Sequence, residues 1–157
     1  MSKSIQMWLD EYGESHQNKL NKRIHWVCVP IIFWTVMAFI FAIPSPALLN
    51  EVSLHLNWAT IGAVLIMIFY ARLSVSLTVG MAVFTAACYF SIVAFDAVWP
   101  DYLVGFSAVV FIIAWAVQFY GHEVEGKKPS FLKDVQYLMI GPAWLMSFTY
   151  KKMGLKY

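Results

Sequence analysis

The sequence predicts an all-α, polytopic membrane protein: four transmembrane helices in an antiparallel bundle, flanked by N- and C-terminal interfacial or re-entrant helices. Three observations predict it. The chain of 157 residues is 61% apolar and only 13% charged, roughly half the ~25% charge that a soluble domain uses to coat its surface. Its mean hydropathy is +0.65, and a chain this short leaves about a third of its unfolded surface exposed even when folded, so the apolar excess has no private core to enter. Finally, the apolar residues gather into four long runs, and the basic residues avoid every second connection between them.

The segments follow in order as one integral membrane domain over residues 1–157. Residues 1–25 are polar and mixed in charge, without the apolar stretch of a cleavable signal. Within them Ile5, Trp8, Leu9 and Tyr12 recur at i, i+3, i+4, i+7, one apolar stripe of an interfacial helix, with Gly13 as its stop. A hydrocarbon layer of about 30 Å needs about 20 apolar helical residues, and four spans answer to that: 26–43, closed by Pro44-Ser45-Pro46; 52–71, less pure at its start because of His55 and Asn57; 73–95; and 102–120. Only Arg72 separates the second from the third. The third carries Ser74, Ser76, Thr78, Gly80, Ala82, Ala86 and Ala87, a thin side that admits a close neighbour. Residues 121–157 hold a short fifth apolar run, Val135 to Phe148, interrupted by Gly141-Pro142 and therefore expected to lie at the interface or re-enter rather than span.

Orientation follows from charge. The eleven Lys and Arg residues fall before the first span, at Arg72, or after the fourth span. The connections 44–51 and 96–101 hold none. The positive-inside rule then puts both termini on the cytoplasmic side. A net charge of +2 argues against a nucleic-acid partner, and Cys28 and Cys88, each inside an apolar run, argue against a disulfide framework.

This topology sorts the four histidines. His16, His25 and His122 converge on the cytoplasmic face if the first and last spans are neighbours, whereas His55 falls a membrane thickness away. His16 and His25 are nine positions apart, half a turn out of phase on one helix, so they share a ligand only if the chain breaks between them. The run Asn18-Lys19-Leu20-Asn21 supplies that break, with Asn21 as N-cap of a helix beginning at Lys22. His122 and Glu125 share a face if the fourth helix continues. Around the imidazoles stand Glu125 and Glu123 as possible carboxylates, with Tyr12, Glu14, Asn21 and Gln118 as hydrogen-bonding neighbours. Arg23, Lys127 and Lys128 sit beside them, placed to meet an anionic substrate or simply to set topology.

Imidazole and carboxylate ligands suit iron, zinc, copper or nickel, and spacing does not choose among them. A zinc-dependent membrane hydrolase, a haem or quinone electron carrier, and a non-catalytic four-helix scaffold or lipid-binding module without metal each fit part of the pattern. Each single histidine also has a plain reading, as an amphipathic residue at the membrane rim.

Two motifs choose. Tyr12-Gly13-Glu14-Ser15-His16-Gln17-Asn18 with Asn21, His25 and Pro30, and Gln118-Phe119-Tyr120-Gly121-His122 with Glu125-Gly126-Lys127-Lys128-Pro129 and Gly141-Pro142, together resemble the small membrane 2-hydroxy fatty acid dioxygenases, in their bacterial branch. The likeness covers nearly the whole chain in order and spacing. It implies an Fe2+ cofactor held by His16, His25 and His122 as catalytic metal ligands. It also implies that a 2-hydroxy fatty acid and dioxygen react at the membrane lipid interface to give carbon dioxide and a fatty acid one carbon shorter. Arg23, Lys127 or Lys128 then offset the substrate carboxylate.

Overall fold

A computed structural model describes residues 4–46, 56–126 and 131–157 of the chain. Among these residues every regular element is helical: α1 (Ile5–Glu14), α2 (Lys19–Phe41), α3 (Trp58–Leu73), α4 (Val75–Val98), a 3-10 turn (Pro100–Tyr102), α5 (Leu103–Glu125) and α6 (Phe131–Lys152). Three helices are long and apolar enough to cross a membrane: α2, α4, and α5 together with its preceding turn. The apolar α3 is shorter, at 16 residues. The start of the expected span 52–71, with His55, lies outside the described residues.

The surface of α5 explains the composition. Ile112 is 66% exposed and Ile113 57%, with Val104, Val109 and Val117 also exposed. A contiguous apolar face of this kind has lipid as its natural solvent. The opposite side of α5 makes the most extensive helix–helix contact of the molecule, against α2, which also touches α3, α4 and α6. First and last spans are neighbours, which is the arrangement the histidines require.

Local chemistry sets the breaks. Ser4 caps α1 by accepting from the Met7 amide. Ser74 alone separates α3 from α4, and its hydroxyl accepts from the Leu77 amide. Gly126 ends α5 at φ 73°, the left-handed conformation that glycine adopts without a Cβ penalty. The expected cap of α2 is corrected. Asn18, not Asn21, is the N-cap, accepting from the Leu20 and Asn21 amides, so α2 starts one turn earlier and Asn21 is inside it. The break between His16 and His25 accordingly falls at Ser15–Asn18. An Asx cap one turn upstream wins because it leaves the Asn21 side chain for a tertiary bond described below.

The last segment differs more. Gly141-Pro142 does not interrupt it: α6 runs unbroken for 22 residues with Pro142 inside. Proline in a helix removes a backbone hydrogen bond and crowds the preceding turn, and here tertiary burial offsets that cost. Ile140, Ala143, Trp144, Leu145, Ser147 and Tyr150 are all buried, and α6 packs on α1, α2 and α4. The apolar stripe of α1 is likewise covered: Ile5, Leu9 and Tyr12 join one core cluster with Tyr70, Leu77, Ile140 and Trp144. The thin side of α4 meets α6, where the Tyr150 hydroxyl accepts from the Gly80 amide at 3.1 Å and donates to the Ser76 carbonyl at 2.7 Å.

Candidate metal centre

Three elements bring the imidazoles together. His16 follows α1, His25 stands in the second turn of α2, and His122 is near the end of α5, which continues past residue 120 to Glu125. The ring centroids of His16 and His25 are 4.1 Å apart, those of His25 and His122 5.0 Å, and those of His16 and His122 5.4 Å. One nitrogen from each ring lies within 4.8 Å of the others, a separation that a single ion with bonds of about 2.1 Å closes by small ring shifts. His16 is 3% exposed and His25 0%; His122 is only partly covered.

The hydrogen bonds fix which nitrogens are available. His16 Nδ1–H donates to the Tyr12 carbonyl at 2.6 Å, and His25 Nδ1–H to the Asn21 carbonyl at 3.0 Å. A carbonyl can only accept, so both rings carry their proton on Nδ1 and present a lone pair on Nε2. Those two Nε2 atoms are buried with no hydrogen-bond partner. A buried polar atom left without a partner costs about 1–3 kcal/mol, and two side by side in one pocket are the mark of a ligand site. A backbone carbonyl behind each ring is also the usual support of a metal-bound histidine. Burial pushes the His16 imidazole down to about 4, against the raising pull of the Tyr12 carbonyl, with His122 adding to the lowering. At neutral pH it is therefore the neutral, metal-ready form.

Glu125 is not placed with the three rings; it holds the loop that carries His16. One carboxylate oxygen accepts from the Gln17 amide at 2.7 Å, the other from the Asn18 amide at 2.9 Å and the Asn21 Nδ2 at 3.1 Å. Of the two places open to it, ligand or hydrogen-bonding neighbour, these bonds fit the second: they clamp α5 to the start of α2, where unpaired amides at a helix N-terminus attract a carboxylate. Asn21, fully buried, completes the clamp by donating to the Ser15 carbonyl at 3.2 Å. Gly121 permits the approach: a Cβ there would stand 2.5 Å from Asn21 Oδ1.

Tyr12 stacks on His16 with centroids 4.2 Å apart. Gln118 is one turn before His122 on the same face of α5. Glu14, Glu123 and Arg23 are exposed, and Lys127 and Lys128 lie outside the described residues. Sequence reasoning missed the wall that α6 contributes: Trp144 packs 5.3 Å from both His16 and Tyr12, and Tyr137 meets Tyr12 edge-on at 5.1 Å. Their only sequence signal was proximity to Gly141-Pro142, whose backbone passes close enough that a Cβ at Gly141 would meet the Tyr12 hydroxyl at 3.1 Å.

Three imidazoles with no carboxylate among them suit iron, zinc, copper or nickel and leave coordination positions open. Comparison with known proteins narrows the chemistry. Neither a curated protein nor a solved structure matches the chain. A family model described as "2-hydroxy-palmitic acid dioxygenase Mpo1-like" matches residues 2–153. By that match over almost its entire length, the chain belongs to the 2-hydroxy-palmitic acid dioxygenase Mpo1-like family.

Proposed function

We propose that this protein is an Fe(II)-dependent dioxygenase of the bacterial inner membrane, its site on the cytoplasmic side, that shortens 2-hydroxy fatty acids by one carbon. The reaction balances as R–CH(OH)–COOH plus dioxygen giving R–COOH, carbon dioxide and water. The substrate supplies all four electrons, so no external reductant or 2-oxo acid is required. The observation that carries this reading is the pair of buried, unpartnered Nε2 lone pairs on His16 and His25 beside His122, in a chain of a dioxygenase family.

Iron bound there would supply a redox centre at which oxidation of C2 is coupled to reduction of dioxygen. The residues of the chain do the rest. The Tyr12 and Asn21 carbonyls hold the His16 and His25 rings in the ligating tautomer. Glu125 and Asn21 fix the loop on which His16 rides. Tyr12 and Trp144 cover His16 with aromatic surface and keep bulk water from that side of the reacting carbon. The exposed Arg23, together with Lys127 and Lys128, balances the substrate carboxylate.

The test is anaerobic purification with elemental analysis, followed by addition of 2-hydroxypalmitate and air. The expected result is iron near one per chain, oxygen uptake, and a fatty acid one carbon shorter. Zinc, or no metal, together with no oxygen uptake overturns the proposal.

A further inference from the structure

Beyond the imidazoles, α2 and α6 continue into the bundle and form one side of a second feature, an apolar cavity of about 60 Å³. It is lined by Phe33 and Met37 of α2, Gly62 and Ala63 of α3, Thr85 of α4 and Met139 of α6, among other residues. Phe33 is eight residues beyond His25, about 12 Å along the helix, and Ile40 at the far end is about 22 Å away. The two sites share walls: Val29, between His25 and Phe33, is close to Gly141, between Met139 and Trp144.

The lining says what the cavity holds. Thr85 is 4% exposed, and its hydroxyl, which has no hydrogen-bond partner, belongs to the one polar side chain of the lining among the described residues. A buried water needs two to four polar partners, although about 10–15 Å³ would be room enough for it. With one hydroxyl on offer the cavity stays dry, so its occupant is apolar. On the α3 side the glycine leaves open space, since a Cβ at Gly62 would meet nothing within 4 Å.

We infer that this cavity receives the distal part of the substrate's alkyl chain and that Gly62 and Ala63 set the chain length the enzyme prefers. The inference rests on the dioxygenase reading for the identity of the substrate. An extended chain advances about 1.3 Å per methylene, so the 12–22 Å interval along α2 corresponds to roughly the tenth to the seventeenth carbon from the headgroup. Short 2-hydroxy acids end before the cavity, and long ones fill it.

Two measurements test this on the whole, metal-loaded protein. In the first, turnover of 2-hydroxyoctanoate and 2-hydroxypalmitate is compared in wild type, Gly62→Leu and Thr85→Val. Leucine at position 62 places a branched side chain in the cavity; KM for 2-hydroxypalmitate is expected to rise about tenfold, the factor that two displaced methylenes are worth, with 2-hydroxyoctanoate unchanged. Thr85→Val replaces the unpartnered hydroxyl by a methyl, so KM for 2-hydroxypalmitate is expected to fall, with 2-hydroxyoctanoate, which ends short of the cavity, unaffected. Equal effects of Gly62→Leu on both lengths, as a dioxygen-holding cavity would give, overturn the proposal, as does a large loss in Thr85→Val, which would mean a polar occupant. In the second, 2-hydroxypalmitate carrying a terminal diazirine is photolysed on the enzyme. Label is expected on the α2 and α3 segments that line the cavity. Label on the outward residues Val109 and Ile113 of α5 overturns the proposal. Absence of turnover at every chain length counts against the dioxygenase reading, while the labelling pattern still decides the cavity.

Discussion

Removing the Glu125 carboxylate is the sharpest test of how this site is held. In Glu125→Ala the amides of Gln17 and Asn18 and the side-chain amide of Asn21 lose an acceptor together. A hydrogen bond to a charged group contributes about 1.5–3 kcal/mol. The Gln17 bond is exposed, so water recovers most of it, and Asn21 keeps its bond to the Ser15 carbonyl. The sum is a loss of about 3–4 kcal/mol, or about 8–14 °C in melting temperature for a chain of this size. Glu125→Gln keeps one acceptor oxygen and should lose less than half as much. The assay is thermal unfolding in detergent of the metal-free protein, alongside metal content after reconstitution. A clamp predicts destabilisation before any metal is added. A ligand predicts an unchanged metal-free melting point and loss of metal alone. A shift below about 2 °C in metal-free Glu125→Ala, well under the range expected from the lost bonds, would falsify the clamp.

Two further outcomes are expected. Gly121→Ala drives a methyl against Asn21 Oδ1, which cannot swing away because its amide is tied to Ser15 and Glu125; a cost of about 1–3 kcal/mol and reduced metal loading should appear in the same thermal and elemental assays, and wild-type behaviour would mean that α2 and α5 separate easily. The second concerns pH. His16 titrates at about 4 in the folded chain, below its ordinary value of 6.5, so between those values the unfolded chain binds a proton that the folded chain refuses. The metal-free protein therefore keeps this contribution above pH 6.5 and loses about 3 kcal/mol of stability as pH falls towards about 4. His16→Gln should flatten that slope; an equally steep fall in the variant would place the titration elsewhere.

Much of the molecule was legible in one dimension because membrane insertion and helix formation are local. Composition and run length demand lipid-facing helices, and a span shows in any stretch of about twenty residues. Helix α1 was equally plain, since its stripe is read at i, i+3, i+4, i+7. Helix α6 was not, because Gly141-Pro142 breaks a helix by local rules and only burial against α1, α2 and α4 overrides them. The site divides in the same way. Motif and topology singled out His16, His25 and His122, but Glu125 looked as much like a ligand as a clamp until the Gln17 and Asn18 amides were seen to face it.

The sequence by itself determined which segments must leave water and which titratable groups stay at their polar ends, because the transfer of a residue between solvents depends on that residue and its near neighbours. Tertiary structure decided which lone pairs are free, which carboxylate is already engaged, and where α6 places Trp144 and the cavity wall. Those facts belong to pairs of groups far apart along the chain, such as Asn21 and Glu125, and no local preference encodes their distance.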